Sequence, residues 1–178
     1  EASRNESETS FRATFEQAAV GMAMISNRGI CLRANATLCA ILGYGLDELV
    51  GRDFHDIVHP DDLARVRQTA SDSIRTSKTS TTEQRFLRRD GRVVWVRVTL
   101  ALVEGNAGKP NYVAAVIEDI EDRKQAENAL LLSERALKEA QRLAGVGNWT
   151  WDVQDARLSW SEEINRICGR LADAPAPD

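Results

Sequence analysis

The sequence predicts an α+β fold: a five-stranded antiparallel sheet with its helices gathered on one face. Three observations carry this. Asn27-Arg28-Gly29 and Asp90-Gly91 each lie between two apolar runs, which reads as two hairpins. The residues between the hairpins have a helical period, punctuated by Gly43 and by His59-Pro60. After the second hairpin, NYVAAVIEDI supplies one more strand, nearly continuous in apolar residues.

The elements follow in order. Residues 1–10, EASRNESETS, are polar without an apolar period and read as a frayed arm. FRATFEQAA then forms a short amphipathic helix, with Phe11 and Phe15 at i,i+4 and Ala18 and Ala19 closing the face. GMAMISNRGICLRAN is the first hairpin. Asn35 is placed to cap the helix ATLCAILG, which Gly43 ends. GLDELVGRDFHDIVHP adds short helical turns, and Asp61 and Asp62 set negative charge at the start of the longer helix DLARVRQTASDSIRTSK. In EQRFLRRDGRVVWVRVTLALVEG the period is two. Val94, Val96, Val98 and Leu100 share one face, and Trp95, Arg97 and Thr99 the other. A loop covers 105–110.

Beyond Ile120 the composition changes. EDRKQAENALLLSERALKEAQRLA has no Gly or Pro and reads as one helix of about six turns, the core of a linker over 121–145. Leu130, Leu137 and Ala144 recur every seven residues, with Ala126, Ser133 and Ala140 in the alternate seam. This is the heptad pattern of a weak parallel two-stranded coil. An internal repeat follows. Shifted by 126, the segment from Val20 lies on the segment from Val146 without a gap: Gly21 on Gly147, Leu38 on Ile164, Gly43 on Gly169, and the cap Asn35 on Ser161. Residues 146–178 therefore read as the start of a second copy, cut after its first helix.

Bulk properties bound the function. The chain has 178 residues, 43% hydrophobic and 28% charged, with net charge −4. That balance fits a soluble globular protein and carries no footprint for nucleic acid or a membrane surface. No apolar run approaches a membrane span, and no signal peptide is visible. The chain starts at Glu1 without a Met and is read as a piece of a longer, cytoplasmic protein. Cys31, Cys39 and Cys168 have no CxxC spacing and read as reduced, buried thiols.

From about Phe11 to Lys124 the chain resembles the PAS superfamily. The resemblance rests on the Asn35 helix, the run ILGYGLDELVGRDFHDIVHPDD, the hairpin RFLRRDGRVVWV and the ending IEDIEDRKQAE. The ending is similar to the family's Asp-Ile-Thr output motif, here Asp119-Ile120-Glu121, with Glu in place of Thr. The resemblance implies a PAS domain over 11–120, then the linker helix and a truncated second PAS domain. It implies a bacterial sensory module upstream of a histidine kinase, a diguanylate cyclase or a phosphodiesterase in the same chain. Signal would leave through Asp119, Ile120, Glu121 and Arg123. A homodimer is expected through the N-terminal helix and the linker, at Ala126, Leu130, Leu137, Ala140 and Ala144.

Chemistry of its own is not expected. There is no phosphate loop, nucleophile elbow or HExxH, and no phospho-acceptor His box, GGDEF or EAL segment. Family members with flavin-adduct photochemistry carry a Cys where this chain reads Gly51-Arg52-Asp53-Phe54-His55. Haem-binding members carry a His in the long helix, and 61–78 contains none. His55 is a possible haem ligand in principle; a packed His is the preferred reading, and non-covalent flavin stays open. His55 and His59 lack a third metal ligand, so no metal is expected. No cofactor is expected either. A small apolar ligand such as a fatty acyl chain would lie between sheet and long helix, against Leu63, Val66, Thr69, Phe86, Val96, Val98, Leu100, Val113, Ala115 and Ile117. The competing reading is that these side chains simply fill the core.

Overall fold

A computed structural model describes residues 2–104 and 112–171. The chain forms two compact units, Glu1–Lys124 and Gln125–Asp178. The loop read over 105–110 lies outside the described residues.

The first unit is built on one antiparallel sheet of five strands: β1 (Gly21–Ser26), β2 (Cys31–Ala34), β3 (Ser80–Leu87), β4 (Val93–Val103) and β5 (Tyr112–Asp119). Their order is β2-β1-β5-β4-β3, so β1 pairs with the last strand as well as with its hairpin partner. Period two holds as expected. Val94, Val96 and Val98 are buried while Trp95, Arg97 and Thr99 between them are half-buried on the other face. Phe86, Val113, Ala115 and Ile117 join the same buried face.

That face is covered by α2 (Ala36–Leu42), α3 (Leu46–Leu49), a 3₁₀ turn (Phe54–Ile57) and α4 (Pro60–Thr76). Leu38, Leu42, Leu49, Phe54 and Ile57 complete one core with the sheet. Asn35 caps α2 as predicted, its side chain accepting from the Leu38 N–H. Gly43 ends α2 at φ 74°. Asp61 and Asp62 lie in the first turn of α4, as expected, and the cap is His59, whose ring accepts from the Asp61 N–H at 3.3 Å. The Asp62 side chain takes the Arg85 backbone N–H at 2.9 Å and its guanidinium at 2.9 Å.

The first ten residues also depart from the reading. α1 spans Ala2–Gln17, so the segment read as an arm is helical from Ala2. No Gly or Pro interrupts it, and once Phe15 is buried each added turn extends a helix already nucleated. The helix stops at Gln17, leaving Ala18 and Ala19 outside it.

In the linker, α5 spans Glu121–Ala144, and none of its residues is buried. The second unit adds the hairpin β6 (Trp149–Asp152) and β7 (Arg157–Trp160), then α6 (Glu162–Ile167). Local bonding here parallels the first unit at the offset found in the sequence. The Met22 N–H donates to Asn35 Oδ1 at 2.9 Å, and the Asn148 N–H to Ser161 Oγ at 3.1 Å. The returning bonds are Asn35 N–H to Met22 O at 3.0 Å and Ser161 N–H to Asn148 O at 2.8 Å. A Cβ on Gly21 would meet Leu38, and one on Gly147 would meet Ile164, the paired positions of the repeat.

Candidate functional site

Two features of the first unit can carry function, one on each face of the sheet. On the inner face a cavity of about 470 Å³ lies between α4 and the sheet. Of the ten residues expected there, Val66, Thr69, Phe86, Val98, Leu100, Val113, Ala115 and Ile117 line it. Leu63 and Val96 do not. Leu63 lies next to Asp62, where the Asp62–Arg85 tether draws α4 onto β3, and it packs on the core. Val96 is fully buried among core side chains. The cavity opens one turn further along α4, from Val66 to Arg75.

Apart from Thr69, the polar lining was not anticipated. Thr82 and Gln84 stand on the inner face of β3, at the period-two positions before Phe86, so the pattern that nominated Phe86 contained them. Gln84 is 3% exposed, and its Oε1 accepts from Thr82 Oγ1 at 3.0 Å. Ser73 Oγ donates to Ser80 Oγ at 2.7 Å, joining the end of α4 to the start of β3. Arg28 in the first hairpin turn, His55, Arg67 and Arg75 also border the cavity. His55 Nδ1 lies 2.7 Å from Asp53 Oδ1. Burial raises the Asp53 carboxyl, but the hydrogen bonds from His55 outweigh it and hold the acid below its ordinary range. Among the described residues no three His, Cys, Asp or Glu side chains converge as a metal site. Cys31 is buried and its thiol is pushed up to about 11, chiefly by that burial, so it is no nucleophile.

On the outer face the four predicted output residues come together with the sheet. Asp119 accepts from Arg88 at 3.2 Å and, through its other oxygen, from the Glu121 N–H at 2.9 Å. The Ile120 N–H donates to Trp95 O at 3.0 Å, and Glu121 Oε2 takes the Trp95 N–H at 3.0 Å. The Glu that departs from the family's motif thus has a defined partner. Arg123 donates to Glu83 Oε1 at 2.5 Å, and Lys124 Nζ lies 2.8 Å from Glu83 Oε2 and 5.1 Å from the Trp95 ring centre. Lys124, then Arg123, hold the Glu83 carboxyl down at about 2. Sequence reasoning found Arg123 but not Glu83, because nothing in β3 alone marks which strand charge meets the helix. Ala126, Leu130, Leu137, Ala140 and Ala144 are all exposed along α5.

A five-stranded antiparallel sheet in this order, with a ligand-sized cavity under its helices and a following helix bonded to its outer face, defines an α+β module with room for a small ligand. The family model described as PAS fold matches residues 32–117, and this part of the chain is a PAS domain. Over 161 residues the chain is 34% identical to "Probable diguanylate cyclase DgcE" of Escherichia coli K12, covering 90% of this chain and 15% of that protein. It is 22% identical over 144 residues to the sensor histidine kinase TmoS of Ectopseudomonas mendocina, covering 80% and 15%. The chain thus spans about 15% of the length of these curated relatives. Among solved structures, a PAS domain of an HTR-like protein from Haloarcula marismortui superposes with TM-score 0.56 at 26% identity, covering 67% of this chain and 98% of that one. A PAS domain from Colwellia psychrerythraea gives 0.60 at 16% identity, covering 64% and 97%. A sensory role in signal transduction follows from the domain and its relatives. Among the described residues no helix is long and apolar enough to cross a membrane.

Proposed function

We propose that this chain is the sensory and dimerisation region of a longer signalling protein, without catalysis of its own. It would bind a small, largely apolar molecule in the cavity and pass the change to an output domain through α5. The observation that carries the reading is the bonding of the α5 start to β3 and β4. Glu83 and Arg97 face the helix from strands whose next residues, Gln84 and Val98, line the cavity.

The match to the diguanylate cyclase is 161 residues long, more than the 124 residues of the first unit, so it runs on through the linker. This supports a linker that belongs to the signalling region. The repeated Met22–Asn35 and Asn148–Ser161 bonding supports a second PAS domain starting at 146. The exposed Leu130 and Leu137 support a homodimer through α5.

Fused through α5 to a histidine kinase or diguanylate cyclase catalytic domain, the chain should regulate that domain. Asp119→Ala and Glu83→Gln should each shift its output. Equal output from wild type and both variants overturns the relay. Sedimentation of the whole chain against a version ending at Lys124 tests the dimer, which should weaken without the linker. Flavin or haem bands in the absorption spectrum of fresh protein would replace the apolar ligand by a cofactor.

A further inference from the structure

The cavity is not uniformly apolar, and its polar groups fall into two kinds. Inside, Gln84 is 3% exposed and lines the space. Its carbonyl is occupied by Thr82 at 3.0 Å, while its Nε2 has no hydrogen-bond partner among the described residues. With Oε1 bonded to Thr82, Nε2 is the end of the amide left for the cavity, whose lining also includes Phe86, Val98 and Ala115.

At the border the charges are of one sign. Arg28, Arg67 and Arg75 line the cavity, and among the described residues no Asp or Glu does. Arg75 pairs with Asp72 at 3.0 Å. Arg28 and Arg67 have no ion pair among the described residues. Asp53, whose carboxyl Arg67 helps to hold down, is turned to His55. A cation-rich border around an apolar interior favours a negative end on the ligand.

We propose that the cavity takes an anionic amphiphile: a medium-chain carboxylic acid with a carbonyl or hydroxyl oxygen along its chain. The carboxylate stays at the border with Arg28 and Arg67. The chain lies on Phe86, Val98, Ala115 and Ile117, and its oxygen accepts from Gln84 Nε2. A charge is kept off Gln84 because one neutral donor cannot offset the desolvation of a carboxylate. A neutral oxygen is what a lone amide N–H in apolar surroundings can satisfy. A volume near 470 Å³ lies within the usual range for such ligands, about 300–1,000 Å³.

The inference rests on the reading of the cavity as a ligand site, and titration calorimetry on the whole chain separates the two. The probes are decan-1-ol, decanoate, decylamine and a positional series of oxodecanoates. Decanoate should bind about ten-fold tighter than decan-1-ol at low salt, with decylamine weakest, and added salt should erode the difference. Arg28→Gln with Arg67→Gln should abolish that order while leaving decan-1-ol unchanged. At least one oxodecanoate should gain about five-fold over decanoate, the scale of one neutral hydrogen bond. Gln84→Leu should remove this gain yet still bind decan-1-ol, which certifies a folded pocket. Equal affinity for decanoate and decylamine, or a carbonyl gain that survives Gln84→Leu, overturns the proposal. Binding of decan-1-ol without any charge preference leaves a ligand site and removes the anionic class. Failure of every probe removes both.

Discussion

Replacing Asn35 by Ala should remove close to half of the stability of the PAS domain. Asn35 is fully buried and makes four side-chain hydrogen bonds. Its Oδ1 accepts from the N–H groups of Leu38 and Met22, each at 2.9 Å. Its Nδ2 donates to the carbonyls of Phe15 and Val20, each at 3.0 Å. One side chain therefore caps α2, fixes the start of β1 and receives the end of α1. The lost cap costs about 1 kcal/mol. The other three backbone groups lose their partner at about 1 kcal/mol each, the low end of the range because two of the bonds are only part-buried. The sum is about 4 kcal/mol, against roughly 5–15 kcal/mol for a whole domain. With a urea slope of about 2 kcal/mol/M, the midpoint should fall by about 2 M. Circular dichroism in urea measures it, and amide exchange of Gly21–Ser26 reports the same loss locally. Asn35→Ser keeps the acceptor, as Ser161 does for Asn148, but loses both donors, and should cost about half as much. A midpoint shift below about 0.5 M for Asn35→Ala would refute the reasoning.

Three further outcomes follow from the geometry. Lys124 and Arg123 lower the Glu83 carboxyl from 4.5 to about 2, so its stabilisation is complete above about pH 4.5 and is lost as pH falls toward 2. Melting temperatures of wild type and Glu83→Gln should therefore differ at neutral pH and converge near pH 2; a gap that persists in acid contradicts the ion-pair account. Gly29 has φ 90° and a Cβ there would come within 2.7 Å of the His55 ring, whereas Gly91 at φ 82° has nothing within 4 Å. Gly29→Ala should thus lower the melting temperature more than Gly91→Ala, since both carry the backbone strain of about 1–3 kcal/mol and only one adds a clash. In timed alkylation read by mass spectrometry, exposed Cys168 should react first and Cys31, buried and with its thiol raised to about 11, last.

How much of this was legible in the sequence depended on whether the signal was local. Asn35, Gly43 and the Asn27–Gly29 turn announce themselves because capping and positive φ are decided by a few adjacent residues. Val94, Val96 and Val98 do so through period two. The ladder that places β1 against β5 joins Gly21 to Ile117, and no local pattern encodes a pairing so far apart. Val96 and Leu63 were misplaced for a related reason. Facing separates inside from outside, but it does not divide the inside into cavity and filled core. That division depends on where Asp62 pins α4 to β3, which is a contact between residues 23 positions apart. Gln84 was overlooked because a polar side chain was not sought on an inner face. The helix over Ala2–Gln17 is not legible as one because polar residues without an apolar period read as a frayed arm, although nothing in EASRNESETS breaks a helix that Phe15 anchors.

In the proposed relay, the third strand offers the shortest path from the cavity to α5. Successive residues of a strand face opposite ways, so β3 presents Thr82 and Gln84 to the cavity and Glu83, between them, to α5. Any ligand oxygen that draws on Gln84 acts on the backbone that also sets Glu83. Glu83 in turn is held by Arg123 and Lys124 and lies 3.7 Å from Arg97, whose own partner is Glu118 on β5. The helix start is thus tied by charge to β3 and by the Trp95 bonds to β4. β3 is the edge strand of the sheet, and its other edge is tied to the start of α4 through the Val58 bridge to Phe86, the His59 N–H on Arg85 O at 2.9 Å and the Asp62–Arg85 bonds, so a shift of α4 would be passed to β3. A displacement of β3 would strain the Glu83 contacts while the Trp95 bonds stay fixed, and an unequal pull within the first turn of α5 would turn the helix about its axis. Rotation is the motion that a heptad seam at Leu130 and Leu137 would register, since it changes which residues face a partner helix.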